Sequence, residues 1–400
     1  MVQHNYLKKS IEDITVSGKR VLLRCDFNVP IDKESGEITD SGRIRASLPT
    51  IEYLLEQGAA IIACSHLGRP KGEWKAELSL EPISCCLSKL LGRPVKMAKD
   101  VIGEDAKSLA QSLKPGELML LENLRYHVEE EKNDLTFAKE LASMADIFVS
   151  DAFGTVHRAH ASTEGVSRFL PAVSGFLLNK ELEFLGGAIS TPTRPLIAIL
   201  GGSKVSDKLA VIENLIDVAD TLLIGGGMAY TFKKALGGKI GNSLCEDDKL
   251  NYTLEMLEKA KNRGVKILLP EDSVAAKEFT NDSDTVNCKS DSIPDGMMAL
   301  DIGPEAIKHY SKEIESAGTI IWNGPMGVFE FDKFAAGTLA IAMAAAKSDA
   351  ISIVGGGDSA AAVRKFELED GISHISTGGG ASLELLEGKV LPGVACLLDK

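Results

Sequence analysis

The stretch PLIAILGGSK, residues 195–204, sets an aliphatic run directly before two glycines and a lysine. A short and nearly continuous apolar run of this kind is typical of a strand buried on both faces of a parallel sheet. Glycines that follow a strand indicate a tight turn into the next helix. This order of strand, turn and helix-like stretch recurs along the chain, which predicts an α/β fold built from βαβ units.

The apolar runs form two groups that differ in how they end. Those of the first half are KRVLLRCDFN (19–28), AAIIACSHLG (59–68), RPVKMAKD (93–100), ELMLLENLR (117–125) and DIFVSDAFG (146–154). Those of the second half are PLIAILGGSK, TLLIGGGMA (221–229), VKILLPEDS (265–273), TIIWNGPMG (319–327), ISIVGGGDS (351–359) and SHISTGGGA (373–381). Most of the first group end in polar or charged residues, and all but one of the second group end in glycine. The two halves therefore predict different chemistry at their strand ends.

The chain is too long for one hydrophobic core, because cores stop growing at roughly 250 to 300 residues. A helix-like segment, FLLNKELEFLGG (176–187), precedes the proline-rich TPTRP (191–195), which indicates a boundary near this point. We therefore predict two doubly wound parallel-sheet, Rossmann-like domains joined by a hinge helix. The first spans residues 1–180 and the second residues 181–390.

Composition excludes several classes of protein. The chain has 57 acidic and 44 basic side chains, a net charge of −13, which argues against a nucleic-acid surface. Its 7 cysteines include no C-x-x-C pair, so a reducing compartment fits best. No apolar run approaches the roughly 18 residues of a membrane span, and the first residues do not resemble a signal peptide. We expect a cytoplasmic protein, with a plastid stroma left open, and we expect the acidic run 129–131 to be solvated.

The glycine turns of the second half predict a nucleotide site, because bare backbone N–H groups at a helix start suit phosphate. Simple tight turns are the alternative for any one of them. GGGDSA (355–360) fits the loose dinucleotide pattern G-x-G-x-x-G/A, but it lies late in the chain, and no P-loop motif occurs. Lys204 and Lys208, spaced one helical turn apart, are expected on one helix face as phosphate ligands, unless they are solvated surface.

Basic side chains adjoin the strand ends of the first half. They are Arg43, His66, Arg69, Arg125 and Arg158. A single loop arginine is usually surface decoration, but several at equivalent positions predict a convergent basic site for a small anionic ligand. His157 and His160 belong to this site, and their spacing favours a metal site only weakly. Asp26 and Asn28, two apart on a predicted strand, are expected on one face to accept hydrogen bonds from ligand hydroxyls, or else to cap a turn.

Two different anion sites on two domains indicate phosphoryl transfer, which needs positioning and charge stabilisation more than a nucleophile. Asp358, in the turn GGGDS, is the candidate ligand for Mg²⁺ on the nucleotide phosphates. Two other functions remain open on these residues. One is an NAD-dependent dehydrogenase, and the other is a non-catalytic phosphosugar-binding protein with two closing lobes.

Eight motifs, in this order, make the chain resemble the phosphoglycerate kinase family along almost its whole length. They are RCDFNVP (24–30), SHLGRP (65–70), LLENLRYH (120–127), DAFGTVHRAHAS (151–162), GGSKVSDK (201–208), TIIWNGPMGVFE (319–330), VGGGDS (354–359) and STGGGAS (376–382). The resemblance implies reversible transfer of the acyl phosphate of 1,3-bisphosphoglycerate to Mg-ADP, giving 3-phosphoglycerate and Mg-ATP. It also implies a monomer whose two domains close over the ligands, and a C-terminal segment, 391–400, that returns to the first domain.

The resemblance also implies a role for each candidate residue. Asp26 and Asn28 would bind the glycerate moiety, and the basic residues Arg43, His66, Arg69, Arg125 and Arg158 would hold its phosphate and carboxyl groups. Lys204 and Lys208 would meet the nucleotide and the migrating phosphoryl group, and Glu330 the ribose. Gly356, Gly357, Asp358 and Ser359 would line the phosphate and metal site. Arg43 and the N–H groups of Gly378 and Gly379 would stabilise the charge in flight.

Overall fold

The computed structural model describes residues 5–32 and 34–400, and it confirms a mixed α/β fold with two parallel sheets. The chain divides into two compact units. One is bounded by Met1–Glu183 together with Val390–Lys400, and the other by Phe184–Lys389. A helical segment consisting of α7 (Phe176–Glu181), the π-helical turn Leu182–Gly186 and α8 (Gly187–Ser190) links them. The predicted hinge helix therefore exists as a continuous run of helical turns.

The sheet of the first unit has six parallel strands. They are β1 (Arg20–Cys25), β2 (Ala60–Cys64), β3 (Val95–Met97), β4 (Leu118–Leu120), β5 (Ile147–Asp151) and β6 (Ala172–Ser174), in the order β3-β4-β2-β1-β5-β6. Both faces of the central strand are buried, with Val21 and Leu23 in the main core cluster and Leu22 fully buried beside them. The near-continuous apolar runs arise from this two-sided burial.

The second unit contains a similar parallel sheet and a small antiparallel one. Its strands are β7 (Leu196–Leu200), β8 (Thr221–Ile224), β9 (Lys266–Leu268), β10 (Asp272–Ala276), β11 (Thr285–Lys289), β12 (Met298–Ile302), β13 (Thr319–Asn323), β14 (Ile351–Gly355) and β15 (His374–Ile375). The parallel sheet has the order β15-β14-β13-β7-β8-β9, and the antiparallel sheet the order β11-β10-β12. Its main core cluster, which includes Trp322, Tyr310 and Ile199, packs against the parallel sheet.

Helices connect the strands of both units, and two of them, α7 and α8, are described above. The others are α1 (Gly42–Ala46), α2 (Leu48–Glu56), α3 (Glu81–Leu91), α4 (Glu104–Ser112), α5 (Val128–Glu131), α6 (Leu135–Ala142), α9 (Leu209–Val218), α10 (Met228–Ala235), α11 (Leu250–Arg263), α12 (Pro304–Glu315), α13 (Ala336–Lys347), α14 (Gly357–Lys365), α15 (Gly380–Leu386) and α16 (Pro392–Ala395). Within the described ranges, none of the helices combines the length and apolar character that crossing a membrane requires.

Each parallel sheet reverses its direction of winding at one point. In the first unit, β1 lies between β2 and β5, and in the second unit β7 lies between β8 and β13. In open α/β sheets, the crevice beyond the carboxyl ends of the strands at such a point is where ligands bind. The segments that follow β1 and β5, and those that follow β7 and β13, are therefore the places to look for a site.

The C-terminal segment packs within the first unit, beside the N-terminal segment. The Lys9 N–H donates to the Leu398 carbonyl at 2.8 Å, and the Leu398 N–H donates to the Ala172 carbonyl at 2.9 Å. The Gly393 N–H donates to the Val156 carbonyl at 2.8 Å, and a Cβ on Gly393 would come within 2.9 Å of Val156. The last helix therefore supports the segment that carries His157 and Arg158.

Asp151, at the end of β5, holds the start of the linking helix. Its Oδ1 accepts hydrogen bonds from the Leu177 N–H at 2.9 Å and the Leu178 N–H at 3.2 Å, in the first turn of α7. Its Oδ2 is also buried. Burial raises the pKa of the Asp151 carboxyl to about 7, and the hydrogen bonds oppose that shift only in part.

We expect the stability contributed by Asp151 to fall as the pH rises. Its folded-state pKa of about 7 lies above the unfolded value of about 3.9, so the folded state binds the proton more tightly. This contribution is full below about pH 4 and is lost as the pH approaches 7. Urea unfolding of the wild type and Asp151→Asn across this range should show the wild type losing on the order of 4 kcal/mol relative to the variant. Parallel stability curves would contradict the assignment.

Candidate functional site

The candidate residues after β1 form a turn and not a continuation of the strand. β1 ends at Cys25, so the prediction that Asp26 and Asn28 share a strand face is wrong. Instead, the Asn28 N–H donates to Asp26 Oδ1 at 3.2 Å, which is the turn-capping alternative. Asn28 Oδ1 accepts a hydrogen bond from the Gly68 N–H at 2.9 Å, which ties this turn to the loop after β2.

Arg43, in the short helix α1, reaches the same turn. Its Nη1 donates to Asp26 Oδ2 at 3.0 Å and to the Asn28 carbonyl at 3.1 Å. The Arg43 side chain remains 45% exposed, so its remaining N–H groups are open to a ligand. The structure therefore brings Asp26, Asn28 and Arg43 together, although they come from two different elements.

His66 lies among several arginines. Burial, followed by the positive charges of neighbouring arginines, lowers the pKa of His66 well below its ordinary value. Those arginines are Arg24, Arg125, Arg158 and Arg43. Burial and three of the same arginines lower the pKa of His160 to about 4. Both imidazoles are therefore neutral at pH 7, and the positive charge of this basic cluster comes from guanidinium groups.

Arg125 and Arg69 have very different surroundings. Arg125 is buried, its Nη1 donates to the Gly68 carbonyl at 2.8 Å, and its Nε pairs with Glu131 Oε1 at 3.2 Å. Arg158 is half-buried, and its Nε donates to His157 Nε2 at 3.1 Å. Arg69 is exposed, and it has no hydrogen-bond or ion-pair partner among the residues that the structure describes. The structure thus places Arg125 and Arg158 in the basic cluster, and it leaves Arg69 exposed.

Sequence reasoning missed two charged residues of this cluster. Arg24, on β1, is 1% exposed, and Glu130, in α5, is also 1% exposed. The signal for Arg24 was a charged residue inside the apolar run VLLRCDF (21–27), because an arginine is rarely buried without a partner. For Glu130 there was no such signal, since it lies in a run of three acidic residues.

A cavity of about 190 Å³ lies at the carboxyl ends of β7, β13 and β14 in the second unit. Its lining combines five glycines of the turns with two lysines, two aspartates, two serines, one proline and one buried asparagine. It consists of Gly201, Gly202, Ser203, Lys204, Asp207, Lys208, Asn323, Gly324, Pro325, Gly356, Gly357, Asp358 and Ser359. Lysines and exposed backbone N–H groups at the start of a helix suit an anion with several phosphates.

Lys204 and Lys208 share this cavity but not a helix face. The helical structure begins only at Ser206, as a 3₁₀ turn before α9, so the prediction that both lysines lie on one helix is wrong. Lys208 Nζ donates to Asn323 Oδ1, and burial lowers the pKa of Lys208, opposed by the charges of Asp207 and Asp358. Asn323, at the end of β13, is a cavity residue that sequence reasoning did not single out.

The glycine turns also pack directly against one another. Gly324 has a φ of +104°, and a Cβ at this position would collide with the carbonyl group of Gly201. The Gly201 N–H donates to the Asn323 carbonyl at 3.1 Å across the same contact. Close approach of two backbones is thus one reason for glycine here, beside any role in binding phosphate.

We expect Gly324→Ala to destabilise the protein by about 3 kcal/mol or more, because it combines a strained φ with a backbone collision. Gly237→Ala is a matched control. Gly237 has a φ of +88°, but nothing lies within 4 Å of its added Cβ, so it tests the strain alone. Urea unfolding of both variants would measure the difference. Equal losses for the two would show that the contact with Gly201 can relax.

The remaining candidates lie at different distances from this cavity. Asp358, in the first turn of α14, is exposed at the cavity wall, whereas Ser359 is buried and its Oγ accepts a hydrogen bond from the Gly324 N–H at 2.6 Å. Glu330 lies in an exposed turn after β13, outside the lining. Gly378 and Gly379 precede α15, also outside the lining, and the Gly378 N–H donates to Ser376 Oγ at 3.1 Å.

The residues around Asp358 fit a magnesium ion that arrives with a nucleotide. In the described part of the chain, no group of three or more His, Cys, Asp or Glu side chains could hold a metal ion by itself. Mg²⁺ in nucleotide sites typically takes one or two carboxylates and completes its octahedron with phosphate oxygens and water. The cavity has two carboxylates in its lining, Asp358 and Asp207, which matches that requirement.

Comparison with known proteins identifies the family of the chain. The sequence profile of the phosphoglycerate kinase family matches residues 11–389. The chain is 57% identical over 403 residues to the phosphoglycerate kinase of Clostridium tetani, covering 100% of both chains. It is 58% identical over 399 residues to that of Clostridium botulinum strain 657, covering 99% of this chain and 100% of the relative.

Solved structures give the same result. The phosphoglycerate kinase of Coxiella burnetii superposes with a TM-score of 0.91 at 43% identity, covering 97% of this chain and 98% of that chain. The enzyme of Pyrococcus horikoshii OT3 superposes with a TM-score of 0.80 at 34% identity, with the same coverage. Sequence and structure therefore agree over nearly the whole length, and the chain belongs to the phosphoglycerate kinase family.

Proposed function

We propose that the protein catalyses reversible, Mg-dependent phosphoryl transfer between 1,3-bisphosphoglycerate and ADP, giving 3-phosphoglycerate and ATP. The observation that carries this proposal is the pairing of two unlike anion sites in one member of this family. One is the cluster of arginines around a neutral His66, and the other is the lysine- and glycine-lined cavity.

The basic cluster would bind the acid substrate. Arg43, Arg125 and Arg158 would pair with its phosphate and carboxyl oxygens, since guanidinium forks bind both groups bidentately. His66 would add a neutral donor. Asp26 and Asn28 would accept hydrogen bonds from the single glycerate hydroxyl group. Arg69, which is exposed and unpaired within the described residues, would add a further guanidinium group for the ligand.

The cavity of the second unit would bind the nucleotide phosphates. Lys204 and Lys208 would neutralise phosphate charge, and the N–H groups of Gly356 and Gly357 at the start of α14 would donate to phosphate oxygens. Asp358 would hold the Mg²⁺, which would neutralise charge on the phosphates. Ser359 would keep the Gly324 turn in position at the site, because its hydroxyl oxygen accepts a hydrogen bond from the Gly324 N–H. Glu330 would bind the ribose from its exposed turn.

Stabilisation of the transferring phosphoryl group is assigned to Arg43, Lys204 and the N–H groups of Gly378 and Gly379. Charge stabilisation by preorganised donors is the main requirement of this reaction. Gly379 has a φ of +49° at the start of α15, a backbone conformation that residues other than glycine rarely adopt. The Gly378 N–H already donates to Ser376 Oγ, so it would have to exchange that partner for the phosphoryl group.

A coupled assay with 3-phosphoglycerate and Mg-ATP tests the proposed reaction directly. Oxidation of NADH by glyceraldehyde-3-phosphate dehydrogenase would report the 1,3-bisphosphoglycerate formed. Calorimetric titration with NAD and with ADP separates the rival dehydrogenase, which should bind NAD tightly and adenylate not at all. Binding of 3-phosphoglycerate without turnover would instead support a phosphosugar-binding protein.

The first unit would be the acid-substrate domain and the second unit the nucleotide-binding domain, in a cytoplasmic monomer. Phosphoryl transfer requires contact between the two substrates and exclusion of water, so the two domains would close only when both ligands are bound. Small-angle scattering should show a smaller radius of gyration with both ligands than with either one alone. An unchanged radius with both ligands would contradict coupling between binding and closure.

A further inference from the structure

The acidic run Glu129–Glu131 contains a buried carboxylate. From the sequence this run was expected to be solvated, and for Glu130 that expectation is wrong, because its side chain is 1% exposed. The helix α5 turns Glu130 inwards, under the basic cluster, while Glu131 remains half-exposed and pairs with Arg125. Burying a carboxylate is costly unless donors and an opposite charge compensate it.

Both oxygens of Glu130 are compensated by one residue of the segment after β5. Glu130 Oε1 accepts a hydrogen bond from Ser162 Oγ at 2.5 Å, and Oε2 accepts one from the Ser162 N–H at 2.9 Å. His160 Nδ1 lies 3.9 Å from Oε1. Because Ser162 gives its hydroxyl proton to Glu130, its oxygen lone pairs are directed to other donors.

Arg24 donates a hydrogen bond to these lone pairs of the Ser162 oxygen. Its Nε donates to Ser162 Oγ at 3.0 Å, and its Nη1 donates to the Cys25 carbonyl. Its Nη2 lies 3.2 Å from His66 Nδ1. Glu130, Ser162, Arg24 and His66 thus form one buried chain of hydrogen bonds, which we call the Glu130 relay.

The relay determines which nitrogen of His66 carries the proton. An arginine side chain keeps all of its protons in proteins and has no acceptor, so Arg24 Nη2 can only donate to His66 Nδ1. Nδ1 must then be the acceptor, and the single proton of the neutral ring must lie on Nε2. We propose that Glu130, through Ser162 and Arg24, is a positioning residue that holds His66 as the Nε2–H tautomer.

This arrangement lets the neutral His66 ring act as a hydrogen-bond donor of fixed direction, a function that does not depend on a positive charge. Nε2–H would then be free to donate a hydrogen bond to a ligand, and the ring stays neutral because burial and the arginines lower its pKa. An anionic substrate would therefore receive a hydrogen bond of fixed direction in addition to the charges of the arginines. The inference rests on the proposed function only for the identity of that ligand, because the tautomer itself is a property of the protein alone.

The tautomer can be read directly by NMR. In protein with ¹⁵N-labelled histidine, long-range ¹H–¹⁵N correlation distinguishes a protonated from an unprotonated ring nitrogen, and the His66→Gln variant identifies the His66 signals. At neutral pH we expect Nδ1 of His66 to be unprotonated and Nε2 to be protonated, without any ligand. A proton on Nδ1 in the wild type would overturn the proposal.

Two variants test the relay itself. Ser162→Ala removes the hydroxyl that joins Glu130 to Arg24, and Glu130→Gln removes the negative charge while keeping the shape. We expect each to raise the KM for 3-phosphoglycerate about tenfold and to change the KM for Mg-ATP by less than about twofold. The His66 spectrum should show a mixture of tautomers in Ser162→Ala. A merely structural role would lower the folded fraction and leave both KM values unchanged.

Matched controls lie in the same segments. Ser167→Ala makes the same change five residues along, where the hydroxyl donates to the Glu164 carbonyl at 2.6 Å, outside the relay. Glu129→Gln makes the same change beside Glu130. Both should behave like the wild type in the spectrum and in the assay.

If the wild type does not turn over 3-phosphoglycerate, the proposed function fails while the spectrum still decides the tautomer. If it does, and Ser162→Ala keeps both the tautomer and the KM, the relay is overturned.

Discussion

Arg43→Ala is expected to lower turnover on the order of 100-fold or more, while changing the KM for Mg-ATP by less than about twofold. Arg43 is anchored by Asp26 and the Asn28 carbonyl through a single nitrogen, Nη1, and its side chain is 45% exposed. A guanidinium held in this way is preorganised and still has donors for a ligand. Steady-state kinetics with 3-phosphoglycerate and Mg-ATP varied in turn would measure the effect.

Arg45→Ala provides the matched control for Arg43. Arg45 lies in the same short helix, is exposed, and donates from Nε to Ser41 Oγ at 3.2 Å, so it contacts none of the candidate residues. Its turnover should remain within about twofold of the wild type, as for most surface changes. If Arg43→Ala retained near-normal turnover, or if both variants lost activity equally, Arg43 would not be the charge stabiliser.

Lys208→Ala is expected to raise the KM for Mg-ATP by about 10- to 100-fold, the usual effect of removing one charge-assisted hydrogen bond to a ligand. Burial lowers the pKa of Lys208, which means that its ammonium has lost water and gains most from a phosphate partner. The variant also frees Asn323 Oδ1 from its lysine donor. The KM for 3-phosphoglycerate should change far less.

Lys233 is the control for this variant. It lies in α10 of the same unit and, like Lys208, it has a pKa lowered by burial, with Asp291 and Glu271 opposing the shift. It does not line the cavity. Lys233→Ala should therefore leave the KM for Mg-ATP unchanged, even if it lowers stability. Equal effects of the two substitutions would point to general weakening of the unit and not to lost phosphate binding.

The parallel strands were predictable because their burial on both faces leaves a clear pattern. Every apolar run of the first half contains one observed strand, and so do all six of the second half. The strands that were missed are of other kinds. They are β6, β10, β11 and β12, and three of these form the antiparallel sheet, in which β11 is largely exposed and produces no continuous apolar run. The antiparallel sheet that contains β11 therefore could not be predicted from periodicity alone.

For the candidate site, strand ends were informative and local geometry was not. The turn of Asp26 and Asn28 was mistaken for strand, and Lys204 was mistaken for helix, because element boundaries depend on hydrogen bonds that periodicity does not reveal. Arg69 was grouped with Arg125, yet one is exposed and the other buried. Residue type and position relative to a strand were the same for both, so only packing could separate them.

By itself, the sequence determined the class of fold, the division into two halves and the two kinds of strand end, since all of these depend on the order of apolar runs and turn residues. Only the tertiary structure decided that Glu130, expected to be solvated, is buried beneath the arginines, and that Arg24 connects it to His66. The physical reason is that burial and hydrogen-bond partners are set by contacts between distant segments. Ser162, which links Glu130 to Arg24, lies more than a hundred residues beyond Arg24 in the chain.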